Sequence, residues 1–425
     1  MLGLTTGLAT ACGSGARAHH VSVPAPAEAL AGAAPVPTHG HWIAGWIASP
    51  EAAVPTSPFA GGFRARTTIR DIIDASAGGT LARIRLDNTF GDRALEVGRA
   101  AIAVAGQGGA TVPETSVLLS FAGRRSAVIP PGGQLFSDPV RFDVRPLERL
   151  AVSVFLPLAT GAPTEHDNAH QANYLAAGDR VLAGGAGAFG STLASWYFVS
   201  GLDVWSSDRE AVVALGDSIT NGNGSVSGAN ARWPNDLARR LAALPGPTVS
   251  VLDAGIEGNR VLNAAPCCGP SALARFQRDV VRQSGVAEVI VLEGINDITY
   301  SRSTSPWTAP HTNVSAAQII AGYKQLIRRA HAAGLKIFGS TLTPFGGSQH
   351  WTPAGEAKRD AVNAWIRASG AFDGVIDFAR AVADPNDPVR LDPRFDDGDH
   401  LHLNGAGYQA MADAINLAML APRGA

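Results

Sequence analysis

The stretch Ala211-Val-Val-Ala-Leu-Gly-Asp-Ser218-Ile-Thr-Asn-Gly222 predicts a buried strand that turns into a helix at a serine. Its short apolar run is typical of a strand buried on both faces of a parallel sheet, and Gly216 ends that run. Ser218 would then lie at the carboxyl edge of the sheet, where open α/β folds bind their ligands. Backbone N–H groups at the start of the helix could stabilise an oxyanion there. The alternative is an ordinary turn in which Ser218 only caps the helix.

A second motif lies far downstream, in Asp396-Asp-Gly-Asp399-His400-Leu-His402-Leu-Asn404. A serine nucleophile needs a base, usually histidine, and a third group that orients the base. His402 could be the base and Asp399 the orienting carboxylate, because their spacing on a turn lets the carboxylate reach the imidazole Nδ1. His400 is interpreted as secondary. A metal site is the alternative, although no His-Glu-x-x-His spacing occurs and no cysteine joins the cluster.

Two further segments could supply hydrogen-bond donors to an oxyanion. After a strand predicted at residues 248–253, Gly258 would let its backbone N–H approach a ligand closely. After a strand predicted at residues 287–293, the side-chain amide of Asn296 could donate in the same way. Each segment alone could be an ordinary turn, because Gly, Asn and Asp dominate turns. Their joint occurrence at strand ends favours a single site.

Four short motifs follow one another along the chain: Gly216-Asp-Ser218, Gly258, Gly294-x-Asn296-Asp297 and Asp399-x-x-His402. Their order is the one found in the SGNH, or GDSL, hydrolase superfamily, which the chain resembles over residues 210–420. The resemblance implies that Ser218 is the nucleophile, His402 the base and Asp399 its orienting carboxylate. It also implies an oxyanion hole formed by Ser218, Gly258 and Asn296. The activity implied is hydrolysis of a carboxylic ester through an acyl-enzyme, without a metal or organic cofactor. One departure is the Ile after the serine, where the family name has Leu, and it leaves the chemistry unchanged.

The periodicity predicts an α/β fold with two domains. Residues 208–425 alternate between apolar strands and amphipathic helices, which predicts a flavodoxin-like three-layer αβα hydrolase domain around a parallel sheet. Residues 41–207 instead show short strand-like runs between turns, which predicts an antiparallel, jelly-roll-like β-sandwich. The predicted helices are 233–243, 272–283, 316–333, 356–368 and 407–419, and the clearest early strands are 80–86, 117–121, 140–144 and 150–156.

This two-part organisation resembles a branch of GDSL enzymes that carry a β-sandwich ahead of the hydrolase domain and include arylesterases linked to xylan degradation. Three further motifs carry the resemblance: Arg232-Trp-Pro234, Leu273-Ala-Arg-Phe276 and Thr341-Leu-Thr-Pro-Phe345. The resemblance implies a small acyl ester as substrate, with acetyl groups on a polysaccharide as the leading candidate. The alternatives are a lipase or broad esterase for longer acyl chains, and a carbohydrate-binding protein with a vestigial hydrolase domain.

The composition limits the classes of partner and the cellular compartments that fit this protein. A formal net charge of −2 over 425 residues argues against nucleic acid or an anionic membrane surface as the main partner. No apolar run approaches the about 20 residues that span a bilayer. Only 16% of the residues are charged, which favours a secreted or cell-envelope protein with a small-molecule or polysaccharide ester as substrate. The oligomeric state is left open.

Residues 1–40 are predicted to be a signal-like segment followed by a flexible linker. Cys12 follows small residues in an imperfect lipoprotein site, and a disordered tail is the alternative. The other two cysteines, Cys267 and Cys268, are adjacent and could form a vicinal disulfide or stay free. They follow the Gly258 segment, which predicts a position near the rim of the active site.

Two features of the predicted sandwich have both a functional and a structural interpretation. The aromatic residues Trp46, Trp196, Tyr197 and Trp205 could stack on a saccharide, but core packing is favoured. Residues 164–170, which include His166, Asp167 and His170, could cap the active site, but a solvated loop is favoured.

Overall fold

The computed structural model describes residues 34–207 and 210–420. Most of the predicted signal-like segment and linker, together with the lipidation site at Cys12, lies outside the described residues. None of the helices in the described ranges combines the length and the apolar character needed to cross a membrane.

The first half of the chain consists of short strands, as the sequence predicts. In chain order they are β1 (His41–Ile47), β2 (Glu51–Ala52), β3 (Thr67–Asp74), β4 (Gly79–Asn88), β5 (Leu95–Val97), β6 (Arg99–Val104), β7 (Val117–Leu118), β8 (Ala127–Ile129), β9 (Gly133–Phe136), β10 (Val140–Val144), β11 (Arg149–Leu156), β12 (Thr164–His166), β13 (Asn173–Ala177), β14 (Ser191–Leu193), β15 (Trp196–Tyr197) and β16 (Val199–Ser206).

These strands pair antiparallel in two larger and two smaller sheets. One larger sheet has the order β1-β16-β4-β10, with β9 also paired to β4, and the other has the order β14-β13-β3-β11-β6-β7. The smaller sheets are β15-β12-β2 and β5-β8. The prediction of a strand over residues 117–121 was too long. Strand β7 ends at Leu118, and Phe121 and Arg124 exchange backbone hydrogen bonds across a tight turn.

The second half is built around a five-stranded parallel sheet. Its strands are β17 (Ala211–Gly216), β18 (Ser250–Gly255), β19 (Val286–Leu292), β20 (Lys336–Ser340) and β21 (Gly374–Ile376). The spatial order β18-β17-β19-β20-β21 is the flavodoxin-like order, with a topological switch point at β17. All six residues of β17 are buried, because this central strand is covered on both faces.

The helices connect and cover the parallel strands. They are α1 (Ser218–Asn221), α2 (Trp233–Ala242), α3 (Ala272–Phe276), α4 (Ile295–Thr299), α5 (Ala316–Ala332), α6 (Pro353–Ala368), α7 (Phe378–Val382) and α8 (Gly405–Asp413). Helix α3 continues as a π-helical turn over Gln277–Val281. The prediction of one helix over residues 407–419 was wrong at its end. Helix α8 stops at Asp413, and Asn416 caps a separate 3-10 turn at Leu417–Met419.

The two halves of the chain are in direct contact along strand β18. Backbone N–H of Ala44 donates to Ser284 O at 2.9 Å. The Oγ atom of Ser250 donates to Ala44 O at 2.7 Å and also lies 2.7 Å from Ser76 Oγ. One continuous hydrophobic core includes buried side chains of both halves. The parallel sheet is therefore attached to the antiparallel region by hydrogen bonds as well as by apolar packing.

Most of the aromatic residues considered above are core residues. Trp46, Trp196 and Tyr197 are at most 8% exposed, and the rings of Trp46 and Trp196 pack edge to face with centroids 5.1 Å apart. Trp205 packs in the same manner on Trp42, at 5.4 Å. The favoured interpretation, core packing, is confirmed for the three buried residues.

Candidate active site

Ser218 lies directly after β17, at the carboxyl edge of the parallel sheet. The turn is tight: a Cβ atom on Gly216 would come within 3.0 Å of Thr220 Oγ1 and Leu292 O. The side chain of Asp217 accepts a hydrogen bond from Ile219 N at 3.0 Å and so caps α1. The N-cap is therefore Asp217, and the Ser218 hydroxyl is left free to face the cleft described below.

A hydrogen-bonded chain joins the three predicted catalytic side chains. Ser218 Oγ lies 2.8 Å from His402 Nε2, and His402 Nδ1 lies 2.6 Å from Asp399 Oδ2. An ionised carboxylate only accepts hydrogen bonds, so Nδ1 carries the proton and Nε2 is free to accept from the serine. Asn223 Nδ2, 3.4 Å from Nε2, is a second neighbour of the imidazole that the sequence did not suggest.

The two charged partners shift each other's pKa. Burial disfavours the charged imidazole, but the hydrogen bond and negative charge of Asp399 outweigh burial and raise the pKa of His402. Burial likewise acts to raise the pKa of Asp399, but its hydrogen bonds with the His402 side chain and backbone lower that pKa well below its usual range. Asp399 is therefore ionised at neutral pH, and His402 is a stronger base than an isolated histidine.

Local hydrogen bonds determine the shape of the turn that carries Asp399 and His402. Asp399 Oδ1 accepts from the backbone N–H groups of Leu401 at 2.9 Å and His402 at 2.8 Å. Asn404 caps α8 and also donates to Asp396 O at 3.1 Å. His400 is not among the residues that line the cleft, and its Nδ1 lies 2.5 Å from Asp396 Oδ2, in agreement with its secondary role.

The two predicted oxyanion donors line the same cleft as Ser218. Gly258 has φ +68°, and a Cβ atom there would lie within 3.0 Å of Tyr300 Oη and Cys268 Sγ. Asn296 is the second residue of α4, and its Nδ2 donates to Asn259 O at 3.0 Å. That bond uses one amide hydrogen and orients the group, leaving the second hydrogen for a ligand.

The loop with Gly258 is fixed to α4 by a carboxylate. The two oxygens of Asp297 accept from the backbone N–H groups of Val261 at 2.7 Å and Leu262 at 3.1 Å. Burial raises the pKa of Asp297 to about 6. The Asp that follows Asn296 in the motif therefore supports the relative position of the two predicted oxyanion donors.

A buried guanidinium group connects the elements behind the site. Arg275 donates to Gly216 O at 2.8 Å, to Ala254 O at 2.7 Å and to the Asn259 side chain at 3.0 Å. It also pairs with Asp279 at 3.2 Å, and both side chains are at most 1% exposed. One side chain thus links the ends of β17 and β18 with the loop at residues 256–262, which we call the oxyanion loop after its predicted role. This explains the arginine in the motif at residues 273–276.

The site opens into a cleft of about 310 Å³. Besides the predicted residues, its lining includes Tyr300, Trp307 and His350 from the second half of the chain. Burial lowers the pKa of His350, which favours its neutral form. Sequence reasoning missed these residues, because no local signal marks a loop side chain that reaches a site only through folding.

The cleft wall also includes residues from the first half of the chain: Val54, Pro55, Thr56 and Asp167. The sequence favoured a solvated loop for residues 164–170, and that interpretation was wrong. Thr164, Glu165 and His166 form the buried strand β12, and Asp167 faces the cleft. The sequence signal that could have indicated a position at the cleft was the concentration of His and acidic residues in this segment.

Cys267 and Cys268 are joined by a vicinal disulfide. Both residues line the cleft, which confirms the predicted position near the rim of the site. Asn259 Nδ2 donates to Cys268 O at 2.7 Å, which ties the disulfide turn to the oxyanion loop. Across residues 34–207 and 210–420, no group of three or more His, Cys, Asp or Glu side chains is arranged to hold a metal ion.

A profile of the GDSL-like lipase/acylhydrolase family matches residues 214–410. The match contains Ser218, Gly258, Asn296, Asp399 and His402. These residues belong to a GDSL hydrolase unit. Residues 214–410 are accordingly a carboxylic ester hydrolase unit of the SGNH/GDSL superfamily.

Solved structures of several lipases and esterases resemble about half of the chain. A GDSL-like lipase from Bacteroides thetaiotaomicron is 18% identical, covers 50% of this chain and 88% of its own, and has a TM-score of 0.36. A lipase/acylhydrolase from Enterococcus faecalis is 19% identical over 48% and 93%, with a TM-score of 0.36. An acetyl-xylooligosaccharide esterase from Geobacillus is 20% identical over 49% and 92%, with a TM-score of 0.39. No curated protein matches this chain.

Proposed function

We propose that the protein is a serine esterase that cleaves small acyl esters, with acetyl esters of carbohydrates as the leading substrates. The observation that carries the proposal is the hydrogen-bonded chain Ser218–His402–Asp399. Ser218 and His402 line a cleft together with Gly258 and Asn296. The intact geometry argues against a carbohydrate-binding protein with a vestigial hydrolase domain, since drift would disturb at least one of these contacts.

In the acylation step, Ser218 Oγ attacks the ester carbonyl carbon while its proton moves to His402 Nε2. The carbonyl oxygen becomes an oxyanion, which accepts hydrogen bonds from the backbone N–H groups of Ser218 and Gly258 and from Asn296 Nδ2. The tetrahedral intermediate then breaks its bond to the alcohol oxygen. That oxygen takes the proton from Nε2 and leaves as the free alcohol, while Asp399 stabilises the transient imidazolium.

Deacylation repeats these steps with water as the nucleophile. His402 Nε2 takes one proton from water as the water oxygen bonds to the acyl carbon. The acyl–Oγ bond then breaks, Oγ recovers the proton from Nε2, and the carboxylic acid is released. The mechanism uses no metal and no organic cofactor.

The size and chemistry of the cleft support a small acyl group on a polar alcohol. Its volume of about 310 Å³ is at the small end of ligand pockets. Polar side chains such as Thr56, Asn223 and Glu257 form part of the lining. A hydroxyl-rich alcohol can exchange hydrogen bonds with these groups, whereas a long acyl chain would leave them unpaired.

We further propose that residues 41–207 are an accessory β-sandwich of jelly-roll type and residues 208–425 the hydrolase domain. We also propose that the protein is secreted or held at the cell envelope. The Cys267–Cys268 disulfide supports this location, because disulfides persist in oxidising compartments.

Acyl-chain specificity and covalent labelling test the proposal. We expect aryl acetate to be hydrolysed with a higher kcat/KM than aryl butyrate or octanoate, and acetylated xylooligosaccharides to release acetate. A serine-directed phosphonate should abolish activity and modify Ser218, as measured by peptide mass spectrometry. A preference for octanoate would support the lipase alternative, and glycan binding by a protein that cleaves no ester would contradict the proposed activity.

A further inference from the structure

The segments of the first half that border the cleft are held against the catalytic elements by hydrogen bonds. His166 Nε2 lies 3.0 Å from Asn221 Oδ1, on the short helix that begins with Ser218. Asn221 Nδ2 donates in turn to Asn168 O at 3.0 Å. The nucleophile helix and the strand β12 segment are thus linked through the Asn221 side chain, which bonds both the His166 side chain and the Asn168 carbonyl group.

The same segment also contacts the oxyanion loop. Glu257 precedes Gly258, and its Oε1 accepts from Asn168 Nδ2 at 2.5 Å and lies 3.2 Å from His170 Nε2. The guanidinium group of Arg232, which is buried, donates to Ala169 O. Residues 166–170 therefore contact the elements on both sides of the nucleophile.

A second segment of the first half, residues 49–56, forms the rest of the cleft wall that the first half provides. Glu165 Oε1 accepts from Val54 N at 2.8 Å, and Glu165 pairs with Glu51 in the β2–β12 ladder. His166 Nδ1 lies 3.0 Å from Ser49 O, and Arg275 Nη1 donates to Ser49 Oγ at 3.2 Å. The turn that places Val54, Pro55 and Thr56 in the cleft is therefore fixed at both ends.

The wall gives the cleft a negative character. Asp167 and Glu257 face the cleft, and none of the described residues that line it is Lys or Arg. Arg232 and Arg275, which lie behind the site, are paired with Asp253 at 3.7 Å and Asp279 at 3.2 Å. Two carboxylates in a cleft lined by no lysine or arginine among the described residues repel a negatively charged substrate, most strongly at low ionic strength.

We propose that the first half of the chain forms a substrate-binding wall of the active site, and that Asp167 is a specificity-determining residue that excludes anionic esters. This inference rests on the proposed function, since it assumes ester hydrolysis at Ser218. The substrates it predicts are esters of neutral or cationic alcohols, such as uncharged sugars, with uncharged acyl groups. Asp167 is the residue to test, because its Oδ1 accepts from Ser195 Oγ at 3.1 Å and an asparagine oxygen can accept the same bond.

The test compares Asp167→Asn with the wild-type protein on matched charged and neutral esters. One pair places the charge on the alcohol, phenyl acetate against 4-acetoxybenzenesulfonate, and the other places it on the acyl group, aryl butyrate against aryl hemisuccinate. The readout is the ratio of kcat/KM for the anionic ester to that for its neutral partner. Intrinsic differences in leaving-group reactivity cancel when this ratio is compared between proteins.

We expect Asp167→Asn to raise the ratio by about threefold to tenfold in at least one pair at low ionic strength. The gain should disappear near 1 M salt, where the screening length is about 3 Å. Asp143→Asn is the matched control, because Asp143 is an exposed residue of β10 outside the cleft lining and carries the same charge. It should leave both ratios unchanged.

The outcomes separate this inference from the proposed function. If neutral esters are cleaved in a Ser218-dependent reaction but Asp167→Asn leaves both ratios unchanged, the specificity role is overturned and the esterase proposal stands. If Asp167→Asn lowers kcat/KM equally for all esters, the specificity role is likewise overturned, because a purely structural role of Asp167 would produce that result. If the wild-type protein cleaves none of the esters, the proposed function fails and this inference fails with it.

Discussion

His402 Nε2 lies 2.8 Å from Ser218 Oγ, although the two residues are 184 positions apart in the chain. The contact exists because β17 delivers the serine to the carboxyl edge of the sheet, while the turn before α8 delivers the histidine to the same edge. Asp399 is bonded to the opposite nitrogen of the imidazole at 2.6 Å. The three side chains therefore form a path along which a proton can leave the serine.

Replacing the nucleophile should remove activity without unfolding the protein. In Ser218→Ala, no hydroxyl remains to form the acyl-enzyme, and kcat on aryl acetate should fall by about 10⁴ or more. The lost group is a single hydroxyl next to a cleft, so the thermal unfolding temperature should stay close to that of the wild type. Steady-state kinetics and circular dichroism measure the two effects. Near-normal hydrolysis by Ser218→Ala would rule out the proposed nucleophile.

Asn296→Ala should lower kcat more than it affects KM. The variant loses a donor that strengthens its bond as charge develops on the oxyanion, so kcat should fall by about 10²–10³. Asn313→Ala is a matched control, because that Asn is exposed and bonds Lys358 at 2.6 Å outside the cleft lining. If kcat/KM of Asn296→Ala falls less than fivefold, its assignment to the oxyanion hole would be wrong.

The pH profile should reflect the raised pKa of His402. Only the neutral imidazole accepts the serine proton, so kcat/KM should fall on the acid side at a pH above the ordinary histidine value of about 6.5. Asp399→Asn removes the group that raises this pKa, so the acid limb should move to lower pH while the maximal rate falls by about 10²–10⁴.

The control for the pH profile is Asp396→Asn, because Asp396 holds His400 in a similar pair and neither residue lines the cleft. Its acid limb should coincide with that of the wild type. An unshifted limb in Asp399→Asn would show that another group controls the acid side of the profile.

Gly258→Ala should damage the oxyanion hole through the backbone. The left-handed conformation at φ +68° costs a residue with a Cβ about 1–2 kcal/mol, and the new methyl group would collide with Tyr300 Oη and Cys268 Sγ. The loop must then shift, and we expect kcat on aryl acetate to fall at least about tenfold. Gly246→Ala has a similar positive φ with open space around it, and it should keep normal kinetics. Equal kinetics for the two variants would contradict a role for the Gly258 backbone.

Arg275→Met should destabilise the fold. The substitution removes the Arg275 hydrogen bonds to Gly216 O and Ala254 O and one of the two arginines that pair with buried Asp279, which should lower the free energy of unfolding by about 3–5 kcal/mol. Arg145→Met is the comparison, because the Arg145 side chain is exposed and a surface ion pair such as the one it forms with Glu148 contributes about 1 kcal/mol or less. Urea unfolding measures both variants. Similar values for the two would show that Arg275 does not hold the sheet ends together.

The sequence by itself determined the parallel sheet and the candidate residues of the site. An apolar run such as Ala211–Gly216 can be satisfied only where a strand is buried on both faces, so periodicity sufficed to locate it. The residues after such strands meet at one edge, which made Ser218, Gly258 and Asn296 candidates for a common site. The vicinal position of Cys267 and Cys268 also limited their chemistry to a few options. These predictions from local sequence patterns succeeded because each pattern depends only on residues that are neighbours in the chain.

Only the tertiary structure decided which side chains from distant segments share the cleft. Asp167 and Val54 reach Ser218 because buried hydrogen bonds of Glu165 and His166 fix their segments, and no local pattern encodes such a contact. The network of Arg275 likewise depends on carbonyl groups that come together only when the strands pair. Hydrogen bonds and packing between remote residues are properties of the folded chain, so the composition of the substrate wall had to come from the structure.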